Sequence, residues 1–134
     1  MEQEDYLIRQ INQIGRILGK IVVDLLGLKS KGQVSIGIEM TNQTLKSELD
    51  FDIQELMNIP TDTFVNTLIS EKKFNHDNFE KLVEIFLLIA DEKKDKEKKI
   101  LYEKCLAIFE YLENVSSTFS LDRQWKMDKI KKYF

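Results

Sequence analysis

Two short stretches and two single residues carry the groups most readily read as reactive. "GRILGK", Gly15 to Lys20, has the glycine and lysine of a phosphate loop. Such a loop needs a glycine-rich turn after a strand, so that backbone N–H groups converge on phosphate, and a Ser or Thr after the lysine. Here the spacing is one residue short, Ile21 follows Lys20, and the stretch lies inside a helical pattern. "SEKK", Ser70 to Lys73, has the serine-lysine spacing of acylating enzymes, but the companion motifs are absent and the stretch reads as a charged helix end.

His76 is the sole histidine, which removes every site built on two imidazoles. Its setting, "FNHDN", reads as a helix-capping loop, so a surface or cap histidine is preferred over a general base. Cys105 is the sole cysteine; no disulfide can form within the chain, and its place in an apolar seam fits a small buried hydrophobe better than a nucleophile. "DFD", Asp50 to Asp52, and the acids of 91–97 lack the glycine and terminal glutamate of a calcium loop. The expectation is a non-enzymatic chain with no catalytic residue, no metal ligand and no cofactor.

The last reactive-looking stretch is the tail. Trp125, Tyr133 and Phe134 interleave with Arg123, Lys126, Lys129, Lys131 and Lys132, a mixture able to stack bases and neutralise phosphates. Arg123, Trp125, Lys126, Lys129 and Lys132 are therefore candidate contacts to an anionic partner, which makes a nucleic-acid-associated regulator the alternative function. The preferred reading is that Leu121 and Trp125 dock as a capping helix while the lysines keep the chain end in water. Only three of the chain's 20 bases are Arg, the residue that grips phosphate bidentately.

Composition indicates the elements that hold these residues. The chain of 134 residues fits one domain, 1–134, and is 43% hydrophobic and 32% charged, with five Gly and one Pro. Sheets closed by many turns consume Gly and Pro, so an all-α fold is expected. The net charge of −3 is unevenly spread: residues 115–134 hold five bases and two acids, while 32–60 hold five acids and one base. The acidic opening "MEQEDYLIRQ" lacks a basic secretory n-region, and "ILGKIVVDLLGL" is interrupted by Lys20 and Asp24, well under the ~20 residues of a membrane span. A cytoplasmic chain without a membrane crossing is expected.

The sharpest pattern is a heptad seam, Leu7, Ile11, Ile14, Leu18, Ile21, Leu25 and Leu28, on a helix predicted from about Gln3 to Leu28. Ile8, Ile17, Val22 and Leu26 widen its apolar arc, so the helix expects neighbours on two sides. Gly15 and Gly19 would let one of them approach closely. Leu7, Ile11, Ile14, Leu18, Ile21 and Leu25 are candidate interface residues, and whether this face is core or interface stays open. Gly27, Gly32 and Gly37 break the pattern, and Val34, Ile36 and Ile38 alternate like a short extended piece in 29–60, the least determined region.

Asp52 and Glu55 form a capping box, Pro60 stops a helix, and Thr61 or Asp62 can cap the next. Asp77 and Glu80 stand at capping-box spacing before "KLVEIFLLIA", the most apolar helix. "DEKKDKEKK", Asp91 to Lys99, reads as a solvated charge run. Leu101, Cys105, Ile108, Leu112 and Val115 repeat the opening seam, and Ser120 can cap the last helix.

The pair 77–92 and 97–115 resembles a tetratricopeptide hairpin through "YEKCLAIFEYL", with Tyr102 opening the helix, Cys105 at the small position and Phe109 at the large aromatic one. The pattern departs from that repeat at Leu112, in the lack of a crossing glycine unless Ala90 serves, and in the missing terminal Pro. The chain also resembles a family of uncharacterised bacterial helical proteins, a domain of unknown function, through "EQEDYLIRQINQIGRIL" and "TFSLDRQWKMDKI". That resemblance implies a helical fold in bacteria and brings no catalytic residues. The combined expectation is a bundle of five to six helices with tetratricopeptide-like hairpins in its C-terminal half, acting as a scaffold for a protein partner or for itself as a homodimer.

Overall fold

In the computed structural model, residues 2–116 and 120–134 are described, with side chains from Glu4 onward. Their regular structure is entirely helical: α1 Glu2–Ser30, α2 Val34–Leu49, α3 Ile53–Asn58, α4 Thr61–Lys72, α5 His76–Ala90, α6 Asp95–Val115 and α7 Leu121–Lys131. None of these helices is long and apolar enough to cross a membrane.

Among the described residues seven helices stand where five to six were expected, and the excess comes from residues 29–60. Gly32, at φ 68°, turns the chain while Gln33 N–H donates to Leu28 O, and α2 begins at once. Val34, Ile36 and Ile38 are thus helical, not extended. The buried face of α2 is Val34, Gly37, Thr41 and Leu45, a helical spacing that a glycine and a threonine disguise as polar. Gly37, expected to break a helix, lies within one because a Cβ there would stand 2.6 Å from Leu28 Cδ1 and 2.8 Å from Leu25 Cδ2. Its missing side chain is what lets α1 and α2 meet.

Several helix starts follow side-chain caps. Asp52 accepts from Glu55 N–H at 2.8 Å, opening α3, and Ser120 accepts from Arg123 N–H at 3.1 Å, opening α7. At α5 the cap is Asn75, accepting from Asn78 N–H at 2.9 Å, rather than Asp77. Neither Thr61 nor Asp62 caps α4; Pro60 occupies that position without a side-chain bond.

Helix α5 is the centre of the bundle, with nine buried residues, including Phe79, Leu82, Phe86 and Ile89. It packs most extensively on α1 and then on α6; α2 covers α1 and α5, α3 and α4 cover α6, and α7 leans on α6. Ile14, Leu18, Ile21 and Leu25 of the opening seam are buried in this chain's own core, whereas Leu7 is exposed and Ile11 half-buried. The α1–α5 crossing is close at Gly15, where a Cβ would lie 3.0 Å from Asn78 Oδ1. Asn78 Nδ2 also donates to Ile11 O at 3.4 Å.

Two glycine substitutions separate propensity from packing. Gly27 has open space around it, so Gly27→Ala should stabilise by roughly 0.5–1 kcal/mol through helix propensity. Gly37→Ala should be net destabilising, because an overpacking cost of about 1–3 kcal/mol outweighs that gain. Urea unfolding midpoints should move in opposite directions.

Candidate functional site

Each reactive-looking group has a structural occupation. The Gly15–Lys20 stretch is mid-helix in α1, with its backbone N–H groups turned along the helix axis and Gly15 buried. Lys73 Nζ donates to the Ser70 carbonyl at 2.8 Å, ending α4. His76 is exposed at the start of α5, its ring edge-on to Tyr111 at 5.7 Å between centroids. Cys105 is fully buried, and burial pushes its thiol far above the ordinary range. Among the described residues, no group of three or more His, Cys, Asp or Glu gathers as a metal site.

One group absent from the expectations is Lys104, buried on α6. Its Nζ donates to Ile59 O at 2.7 Å and to Thr61 Oγ1 at 3.2 Å, and lies 5.0 Å from the Phe64 ring centre. It thereby clamps the Pro60 corner between α3 and α4. Burial holds its ammonium below the ordinary value of 10.5.

The tail bases are divided by the fold. Arg123 turns inward: Nε donates to Glu113 Oε1 at 2.8 Å and Nη1 to Glu80 Oε1 at 3.0 Å, and these hydrogen bonds hold its charge firmly. Lys126 is drawn down by burial but raised on balance by its bonds to Glu84 and Asp122. Lys129 lies over the Trp125 ring at 5.4 Å, and Lys132 is exposed beyond the helix.

The expected docking of Leu121 and Trp125 is not what holds α7. Both are exposed, at 77% and 63%, and the buried face is Arg123, Met127 and Ile130. Arg123 substitutes for an apolar anchor because two carboxylates on α5 and α6 meet it at the core edge. A pattern of hydrophobic residues alone cannot reveal such a face.

Outward-turned Trp125 borders a cleft between α1 and α7, floored by α5. It encloses about 280 Å³ and is lined by Leu26 and Lys29 of α1, Leu87 and Leu88 of α5, Asp91 just after it, Tyr102 of α6, and Trp125, Lys129 and Ile130 of α7. Glu84 and Lys126 line it too, and join it to a shallower polar depression of about 370 Å³ running along Gly19 and Val22. Leu26 is exposed on the α1 wall. Lys29, Lys126 and Lys129 outnumber Glu84 and Asp91 around the apolar part, on a chain of net charge −3.

The cleft draws together Trp125, Lys126 and Lys129 from the expected tail contacts, leaving Arg123 inside and Lys132 outside. Of the six seam residues proposed as an interface, none lines it. Leu26, Lys29, Leu87 and Tyr102 went unnoticed as a site because they lie on three different helices; the one legible signal was a tryptophan on a helix without a clean apolar face.

Arg123→Ala should destabilise the fold by about 1–2 kcal/mol and speed amide exchange in α7, the cost being limited because Glu80 and Glu113 can regain water. Lys104 gives a pH signature. The folded chain releases this proton at lower pH than the unfolded chain, so the burial cost is full below the folded pKa and vanishes towards 10.5. Wild-type stability relative to Lys104→Gln should therefore rise as pH is raised towards 10.5 in chemical denaturation.

No family model matches the chain, and neither a curated protein nor a solved structure does.

Proposed function

We propose that this chain is a non-enzymatic helical scaffold that binds an amphipathic helix bearing acidic flanks in the cleft between α1 and α7. The observation carrying this reading is the cleft itself. Large apolar side chains from two walls, Leu26 and Trp125, stand in water above Leu87 and Leu88, between Lys29 and Lys129. Exposed tryptophan beside a concave apolar floor is the usual anchor of helix-in-groove recognition, and the lysine rim favours a partner of opposite sign. The helix pair α5 and α6, linked by the short turn 91–94 and buried through Ala90, Cys105 and Phe109, supports a tetratricopeptide-like hairpin as the rigid backing.

Nucleic acid finds less support as the occupant. Arg123 and Lys126 already meet carboxylates, so little of the tail's charge is left to displace counterions from phosphate.

Trp125 is the sole tryptophan, so its emission reports on the cleft directly. Titration with an acidic amphipathic helical peptide should blue-shift the emission saturably, and Lys29→Glu with Lys129→Glu should weaken binding roughly tenfold or more. An emission indifferent to millimolar peptide would overturn the reading.

A further inference from the structure

We propose that the space between α2, α3, α5 and α6 is a binding site for a small uncharged carbonyl compound, a compact apolar ring or branched chain of about six heavy atoms with one hydrogen-bond acceptor. The space measures about 130 Å³ and shares no residue with the cleft between α1 and α7. Its apolar wall is Ile38 of α2, Ile53 and Met57 of α3, Ile89 of α5, and Ile100 and Leu101 of α6. Ile53, Ile89 and Leu101 are buried, and the other three are half-buried. Apolar cavities of roughly this volume take a molecule the size of benzene, which sets the size of the occupant.

The polar side chains at the site decide its chemistry. Lys93 Nζ meets Glu97 Oε2 at 3.3 Å, so the two charges cancel, and Gln54 Nε2 donates to Asn58 Oδ1 at 3.3 Å. No net charge is left to offset the desolvation of an ion, which makes the occupant neutral. Asn42 differs from these. Its Oδ1 accepts from Ile53 N–H at 3.0 Å, a role only the amide oxygen can fill, and this leaves the Nδ2 hydrogens without an acceptor among the described residues. The side chain that carries them is half-buried and lines the site. A carbonyl oxygen supplies the missing acceptor and brings no donor of its own to be left unsatisfied.

Two further features favour such a ligand. The bond from Ile53 N–H to Asn42 pins the start of α3 to α2, so the donor and two of the apolar walls are held in fixed relation before a ligand arrives. Water is a poor competitor, because it needs about two to four polar partners and here meets one amide among isoleucines; an apolar body that displaces it gains affinity.

Cyclopentanone and methylenecyclopentane, which carry a carbonyl or a methylene group on the same ring, test this. In methyl NMR titrations both should saturably shift the signals of Ile38, Ile53, Ile89, Ile100 and Leu101, with a Kd of about 1 mM, within reach of about six heavy atoms. Asn42→Asp keeps an oxygen for Ile53 N–H and removes the Nδ2 donors. It should weaken cyclopentanone roughly threefold to tenfold, the worth of one hydrogen bond, and leave methylenecyclopentane as in the wild type. Ile100→Phe, at a half-buried position, should fill the space and abolish binding of both. Absence of saturable shifts at these methyls in the wild type would overturn the proposal, as would shifts gathered around Trp125 instead. So would an Asn42→Asp variant that weakens the alkene as much as the ketone, since the amide would then act only by bracing α3.

Discussion

The contact between α1 and α5 is the constraint from which the remaining arrangement follows. Each of Ile14, Leu18, Ile21 and Leu25 gains about 1.5–3 kcal/mol from leaving water, and α5 is the helix against which α1 packs most extensively. Close approach is possible because Gly15 presents no side chain where Asn78 arrives, and Asn78 returns a hydrogen bond to the α1 backbone. With α1 fixed along one side of α5 and α6 along another, α2 and α7 settle into the angles left between them.

Charge does at the periphery what apolar burial does at the centre. Arg123 and Lys126 anchor α7 through three carboxylates of α5 and α6, Glu80, Glu84 and Glu113, and Lys104 ties the Pro60 corner to α6 through a carbonyl and a hydroxyl. These bonds are directional where burial is not, so they fix the orientation of short elements with little apolar surface of their own. One consequence reaches the cleft. By docking α7 through Arg123, Met127 and Ile130, the network turns Trp125 outward, away from the core that its size would otherwise favour.

The resulting surface is divided lengthwise along α1. One end carries Tyr6, Leu7 and Ile8 exposed to water; the other forms a wall of the cleft. A long, continuous helix keeps these two regions, Ile8 to Leu26, about 27 Å apart.

The amino-acid sequence determined the all-helical class, the α1 seam, the capping by Asp52 and Ser120, and the depth of α5, since each depends on residues within a turn or two of one another. Residues 29–60 defeated the same reasoning because Gly37 and Thr41 occupy core-facing positions that carry no apolar signal. Whether the α1 seam met its own chain, how α7 would dock, and that Leu26, Leu87, Tyr102 and Trp125 would share one cleft were decided only in three dimensions. Those contacts join residues tens of positions apart, and a hydrophobic period records which face of a helix is buried, never which neighbour buries it.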